Sequence, residues 1–145
     1  MGKHKYFELN EFVRSETAKK NGIDNTPSFE VVDHLDKLVD VVLDPLRVAW
    51  GSGIRINSGF RCEALNKLVG GSSTSVHKIG WAVDITPVNG KFDEFVKFVV
   101  EWFKKTNTKF DQILIESDKK GNRWLHIGLY NNAGQQRGQI KVMNV

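Results

Sequence analysis

The stretch S-V-H-K-I-G-W-A-V-D, residues 75–84, carries the chain from a polar loop into an apolar strand. Gly80 lets the loop turn sharply, and Ala82 keeps bulk away from the face of the sheet. The stretch ends on Asp84, within W-A-V-D-I, where burial of an isolated charge is costly. Two interpretations follow: a turn leading into a buried strand, or half of a metal site formed by His77 and Asp84.

The length of the chain limits its organisation. A chain of 145 residues predicts a single domain, residues 1–145, with a sizeable core. Helical patterns come first and strand patterns dominate later, which predicts an α+β fold. We expect an antiparallel sheet with helices packed on one side.

Two helices are predicted ahead of residue 50. The first is expected to begin with Asn10 as its N-cap and to stop at Gly22. The second is expected to open at residues 26–28, T-P-S, and Pro45 should kink or divide it. Its core-facing stripe has spacings of three and four residues. The stripe comprises Val31, Leu35, Leu38, Val42 and Leu46.

The rest of the chain alternates between strand patterns and two further helices. Helices are expected over residues 62–69 and 92–103, and a Ser/Thr/Gly loop over residues 72–80. Strands are predicted at residues 54–57, 81–85, 111–116, 124–130 and 138–145. The third and fourth strands flank S-D-K-K-G-N and should form a hairpin, and the last strand is expected at a sheet edge.

Charge and composition restrict the classes of partner. The formal charge of +4 favours an anionic partner, such as a cell-wall polymer or nucleic acid. No block of lysine and arginine is long enough for a nucleic-acid arm, so nucleic acid is not expected. The single Cys62 excludes an internal disulfide and a zinc site made of several thiolates. No apolar run has signal-peptide or membrane-span length, so we expect synthesis in a cytoplasm, without a signal peptide and without membrane insertion.

Three segments carry side chains suited to chemistry. They are S-G-F-R at 58–61, the stretch 75–84, and R-W-L-H-I at 123–127. A catalytic zinc site takes about three nitrogen and oxygen ligands and leaves one position for water. His77, Asp84 and His126 would supply that set. The competing interpretation is a satisfied core histidine, with Asp84 capping a turn or pairing with an arginine.

In combination, S-G-F-R, N-x-x-V-G-G, S-x-H-x-x-G-x-A-x-D and W-L-H-I resemble the zinc D-alanyl-D-alanine carboxypeptidase family. That family includes phage L-alanyl-D-glutamate peptidases and shares its fold with the hedgehog signalling domain. The resemblance covers nearly the whole chain. It implies a hedgehog/D-Ala-D-Ala-peptidase fold, Zn²⁺ bound by His77, Asp84 and His126, and hydrolysis of a peptide bond in bacterial peptidoglycan.

The general base is not at its usual place. Relatives often carry an acid three residues before the last histidine ligand, but this chain has Arg123 there, which cannot act as a base. We expect Glu116 to serve, because in a hairpin where Glu116 faces Trp124 it lies diagonal to His126. A register shift of one residue would point Glu116 away. The alternatives are Asp111 and then Asp118.

The resemblance also implies two substrate-binding residues. Arg61 would hold a substrate carboxylate, since a guanidinium binds carboxylates through two parallel bonds. Ser75 would hydrogen-bond the substrate. The alternatives are a solvated arginine at a helix start and a simple loop serine. Asn66 and Ser58 are expected to brace the loop.

The other two histidines and the cysteine are not expected to take part in the chemistry. His4 and His34 are assigned to the surface, and Cys62 is expected to be a small packing residue.

The resulting hypothesis is a monomeric zinc metallopeptidase, a hydrolase similar to a phage endolysin, whose substrates are peptidoglycan stem peptides. It would act at the bacterial cell wall after release, or as part of a phage particle. Carboxypeptidase and endopeptidase activity both stay open. One alternative is a non-catalytic zinc-containing domain that binds peptidoglycan or a partner, which Arg123 favours. Another is a wall glycosidase using Glu116 and Asp111, which leaves both histidines unexplained.

Overall fold

The computed structural model describes residues 1–145 as helices packed against a five-stranded sheet. The helices are α1 Leu9–Val13, α2 Glu16–Lys20, α3 Phe29–Leu38, α4 Asp44–Trp50, α5 Glu63–Leu68 and α6 Phe92–Thr106. A π-helical turn, Val39–Leu43, joins α3 to α4, and a 3₁₀ turn spans Val76–Ile79. The strands are β1 Ile54–Ser58, β2 Ala82–Pro87, β3 Gln112–Ser117, β4 Arg123–Gly128 and β5 Gln139–Asn144. No helix has both the length and the apolar character needed to cross a membrane.

The first predicted helix is two helices. Glu8, not Asn10, is the N-cap of α1, where it forms a capping box with Glu11. The chain then becomes extended at Arg14, and the Ser15 side chain accepts a hydrogen bond from the Ala18 backbone N–H to start α2. A serine that caps a new helix competes with continuation of the old one, which explains the interruption.

Pro45 divides the second predicted helix. The helix begins at the predicted place, where the Ser28 side chain caps it by accepting a hydrogen bond from the Val31 backbone N–H. Proline has no N–H and crowds the preceding turn, so a regular α-helix cannot run through Pro45. The chain widens into the π-helical turn, where the backbone N–H of Asp44 donates to the carbonyl of Val39. The helix resumes as α4, with Pro45 in its first turn.

The sheet is mixed. Its order is β1-β2-β4-β3-β5, and the first four strands pair antiparallel, as predicted. The edge strand β5 instead runs parallel to β3. Gly128 at the end of β4 lies opposite Gln112 at the start of β3. Residues 129–138 therefore return the chain to the end of the sheet where β3 begins, and β5 must run in the same direction as β3.

The two faces of the sheet have different neighbours. Residues Val83 and Ile85 of β2, like Leu125 and Ile127 of β4, belong to a hydrophobic core of 22 buried residues that also includes the apolar sides of α3, α4 and α6. Successive side chains of a strand point to opposite faces. The residues between these, including Asp84 and His126, therefore face away from the helical core. Helices α3, α4 and α6 lie on one side, as predicted, and leave the other for a site.

Neither His4 nor His34 is a free surface residue. The ring of His34 stacks on Trp81, with centroids 3.9 Å apart, and its Nδ1 is 2.6 Å from the carbonyl oxygen of Ile79. The side chain of His4 is 6% exposed and lies among carboxylates of α3, the π-helical turn and α4. Both surface assignments were wrong, because each histidine meets residues that are distant in sequence.

Candidate metal centre

Two neighbouring strands and one turn bring three predicted metal ligands together. Asp84 on β2 lies directly opposite His126 on β4, and one oxygen of Asp84, Oδ1, is 3.0 Å from His126 Nδ1. His77 comes from the 3₁₀ turn, and its Nε2 is 3.2 Å from the same oxygen. All three residues are buried. The Ser75 side chain accepts a hydrogen bond from the His77 backbone N–H and so caps the 3₁₀ turn. This part of the predicted loop therefore has a regular conformation.

The orientation of His77 is set by a backbone carbonyl. Its Nδ1 lies 2.7 Å from the carbonyl oxygen of Gly59, so Nδ1 carries the proton and donates it. Nε2 is the nitrogen that faces Asp84, and in the neutral imidazole it carries the lone pair that a metal ion would take. Metal-binding histidines usually have such a partner on their second nitrogen.

Gly59 reaches this position because it has no side chain. A Cβ there would lie 2.6 Å from the carbonyl oxygen of Phe12 in α1. The loop is tied to the same place by the Phe60 backbone N–H, which donates to the Phe12 carbonyl over 2.7 Å. The backbone N–H of Arg61 then donates to the carbonyl of His77. The motif S-G-F-R thus positions both its own arginine and the first histidine.

The donor set fits a zinc ion. Two imidazole nitrogens and one carboxylate oxygen lie within 4.8 Å of one another. In tetrahedral zinc sites with bonds of about 2.0–2.1 Å, neighbouring ligand atoms are about 3.3 Å apart. The contacts of 3.0 and 3.2 Å are close to that spacing. Burial alone would raise the pKa of the Asp84 carboxyl, but His77 and His126 outweigh it and hold that pKa well below its usual range.

Glu116 stands beside this cluster. The hairpin has the predicted register, with Glu116 opposite Trp124 and Leu114 opposite His126. Oε1 of Glu116 accepts a hydrogen bond of 3.1 Å from the indole N–H of Trp124 and lies 3.8 Å from His126 Nδ1. Burial, and after it the charge of Asp84, raises the pKa of the Glu116 carboxyl. A carboxylate with a raised pKa is suited to taking up and releasing a proton.

The other acids and Arg123 are occupied elsewhere. Asp111 accepts two hydrogen bonds of 2.8 Å from the guanidinium of Arg137, so its carboxylate is already paired. Asp118 accepts backbone hydrogen bonds within the hairpin turn. Arg123 donates to Asp93 of α6 over 2.8 Å and lies over the ring of Phe92, on the helical side of the sheet. Glu116 is thus the acid with a free carboxylate oxygen beside the cluster.

Arg61 and Ser75 line the same cleft. The cleft has a volume of about 880 Å³, and its lining includes Arg61, Ser75, Glu116 and the three clustered residues. Nε of Arg61 is buried without a hydrogen-bond partner, and Nη2 is 3.5 Å from the Ser75 hydroxyl. Burial lowers the pKa of Arg61, while Asp84 and Glu116 oppose that change. An arginine stays charged at neutral pH, so an unpaired cation faces the cleft.

Two residues that support the cleft were not predicted from the sequence. Asn25 donates from its amide to the carbonyls of Val13 and Phe60, and its oxygen accepts from the Cys62 backbone. Arg137 binds Asp111 at the edge of the cleft. Their partners are 12 to 37 residues away along the chain, so no local pattern could indicate them. Asn66 does brace the loop, because its amide donates to the carbonyl of Ser72.

Comparison with known proteins identifies one family for most of the chain. A protein-family model described as Peptidase M15 matches residues 5–127, which include every residue of the cluster and Glu116. No curated protein matches the chain significantly.

Proposed function

Because this chain belongs to the peptidase M15 family, we propose that it is a zinc metallopeptidase that hydrolyses a peptide bond in the stem peptides of bacterial peptidoglycan. The observation that carries this proposal is the buried cluster of His77, Asp84 and His126 beside Glu116 in an open cleft. We assign His77 Nε2, Asp84 Oδ1 and His126 Nδ1 as the zinc ligands. When bound, zinc would lower the pKa of a water molecule from about 15.7 to about 7 and polarise the scissile carbonyl.

Glu116 would transfer the proton of the attacking water to the leaving amine. Its Oε1 is held by the Trp124 indole, which leaves Oε2 to accept a proton from the attacking water and pass it to the leaving amine. The raised pKa of this carboxyl helps it hold the proton between the two steps. Asp84, in contrast, stays ionised and serves the metal.

The substrate would be held by Arg61 and Ser75. The unpaired guanidinium of Arg61 suits a carboxylate, either at the C-terminus of a stem peptide or on a side chain within it. The Ser75 oxygen accepts hydrogen bonds from the His77 backbone and Arg61, so its hydroxyl proton is free for the substrate. Release of a terminal D-alanine and cleavage within the stem or cross-bridge both fit this arrangement. We propose that the enzyme acts at the cell wall in the manner of a phage endolysin.

Digestion of purified peptidoglycan tests the proposal. The zinc-loaded protein is incubated with peptidoglycan, with and without a chelator, and the soluble products are identified by mass spectrometry. We expect new peptide termini that disappear with the chelator and with His126→Ala, whereas Glu94→Gln, an exposed control on α6, retains them. Free D-alanine would identify a carboxypeptidase, and new internal amino termini an endopeptidase.

Two other outcomes would overturn the proposal. Zinc binding and wall binding with no new termini would indicate a binding domain without catalysis. Release of reducing sugars that resists the chelator would indicate a glycosidase.

A further inference from the structure

A second group of possible metal ligands lies at the N-terminus, outside the cleft. His4 packs beside three carboxylates spaced four residues apart, Asp36 at the end of α3, Asp40 in the π-helical turn and Asp44 at the start of α4. Only 6% of the His4 side chain is exposed. None of these residues lines the cleft.

The imidazole of His4 is oriented in a defined way. Its Nε2 is 2.7 Å from Asp36 Oδ1, which also accepts a hydrogen bond from the Gly2 backbone. Nε2 therefore donates, and in the neutral imidazole Nδ1 keeps a lone pair. A carboxylate on the second nitrogen is the usual partner of a metal-binding histidine.

The free nitrogen points at the other two carboxylates. His4 Nδ1 lies 3.3 Å from Asp40 Oδ1 and 3.4 Å from Asp44 Oδ2, and neither contact has hydrogen-bond geometry. The remaining oxygen of Asp44, Oδ1, is buried and has no hydrogen-bond partner. A lone pair facing two carboxylates is repelled unless a positive charge lies among them, supplied either by a metal ion or by a second proton on His4. Burial opposes that proton, but the neighbouring aspartates outweigh burial and raise the pKa of His4. Nδ1 of the nearly buried His4 side chain thus faces the carboxylates of Asp40 and Asp44 without a hydrogen bond to either.

We propose that His4, Asp40 and Asp44 bind a second divalent metal ion, with Zn²⁺ as the expected occupant, which fastens the N-terminal segment to the π-helical turn. The three ligand atoms lie within 4.8 Å of one another, as those of the cleft do. One imidazole nitrogen with two carboxylate oxygens is a donor set that zinc accepts, whereas calcium takes six to eight oxygens. The Asp40 side chain is 66% exposed, which leaves a path for the ion and room for water ligands.

The π-helical turn gives this proposal a structural reason. Residues four apart lie on one side of a helix, so Asp40 and Asp44 share the same side of this π-helical turn. Such turns occur frequently at functional sites. The role expected for this ion is structural, because none of its ligands lines the cleft that contains Glu116 and Arg61.

Zinc stoichiometry tests the proposal directly. Metal-free protein is dialysed against Zn²⁺, and bound zinc is counted by elemental analysis. We expect two equivalents for the wild type, and one each for His4→Gln, Asp40→Asn and His126→Ala. Asp33→Asn removes an exposed carboxylate of α3 outside the cluster, and this control should bind two.

A thermal melt separates loss of the ion from loss of the fold. Zinc beyond the first equivalent should raise the Tm of the wild type and of Asp33→Asn, but not that of Asp40→Asn. A single equivalent in the wild type, lost in His126→Ala and kept in Asp40→Asn, would overturn the second site while leaving the first. In that case His4 is a protonated imidazolium paired with the carboxylates.

Discussion

The neighbours of Asp84 and Glu116 shift the pKa values of these two cleft carboxylates in opposite directions. Asp84 lies between two histidines, which stabilise its charge, whereas Glu116 is buried near another negative charge. One acid is therefore kept ionised and the other is made easier to protonate. This difference assigns metal binding to Asp84 and proton transfer to Glu116.

If Glu116 is the general base, removing its carboxylate should lower the catalytic rate without reducing zinc binding. Glu116→Gln keeps an oxygen for the Trp124 indole but cannot accept a proton, so kcat should fall by about 10²–10⁴-fold. Zinc content and Tm should stay at wild-type values. Steady-state kinetics with elemental analysis checks this, and Glu94→Gln serves as the control. Retained activity would contradict the assignment of Glu116 as base.

The role of Arg61 predicts a change in recognition. Arg61→Lys keeps the charge but loses the paired donors, so kcat/KM for a peptide with the recognised carboxylate should fall by about 10-fold or more. The same peptide with that carboxylate converted to an amide should be much less affected. Arg55→Lys, at an exposed position of β1, should change neither rate. An equal effect on both peptides would show that Arg61 does not bind the carboxylate.

At the scale of elements, the 3₁₀ turn before β2 controls the first metal ligand. Gly80 ends this turn in the left-handed conformation, with φ of 79°, and brings the turn against α3. β2 then begins in the correct phase for Asp84 to face His126. A change in this turn should therefore affect both stability and metal binding.

Gly80→Ala tests that connection. A Cβ at Gly80 would lie 2.8 Å from the Val31 carbonyl oxygen, in addition to the left-handed backbone cost of about 1–2 kcal/mol. We expect a lower free energy of unfolding in urea and weaker zinc binding. Gly90→Ala has a similar φ of 75° but no atom within 4 Å, so it isolates the backbone cost. Equal destabilisation of the two variants would show that the contact with Val31 does not contribute to the loss of stability.

At the scale of the whole molecule, one ion pair links the sheet to the segment that precedes β5. Asp111 is 2% exposed and lies just ahead of β3, and Arg137 binds it from residues 129–138. The hydrogen bonds from Arg137 lower the pKa of the Asp111 carboxyl. This pair helps to hold β5 beside β3.

The lowered pKa predicts a pH dependence of stability. The contribution of Asp111 is fully present above its unfolded pKa of about 3.9 and is lost as the pH falls through the lower folded value. Asp111→Asn should cost about 1–3 kcal/mol at pH 7, toward the lower end because the Arg137 side chain is 40% exposed. The difference from the wild type should shrink as the pH falls below about 4 in urea unfolding. A constant difference over that range would contradict the linkage, and Asp33→Asn should show no such trend.

The sequence by itself determined the features that depend on local periodicity and residue chemistry. The alternation of β2 and β4 is enough to put Asp84 and His126 on the face opposite the core, and the spacing of residues 31 to 46 is enough for the helical stripe. The residue types of the three segments also indicate a zinc site, in agreement with the Peptidase M15 match. These features need only the periods of strands and helices and the preferences of metal ligands.

Only the tertiary structure decided the features that join residues far apart in the chain. These include the parallel direction of β5, the pairing of Asp111 with Arg137, and the carbonyl of Gly59 that orients His77. The burial of His4 among carboxylates belongs with them. Each depends on where loops return the chain and on which surfaces then meet. Local sequence patterns carry no information about that, because many loop paths satisfy the same periodicity.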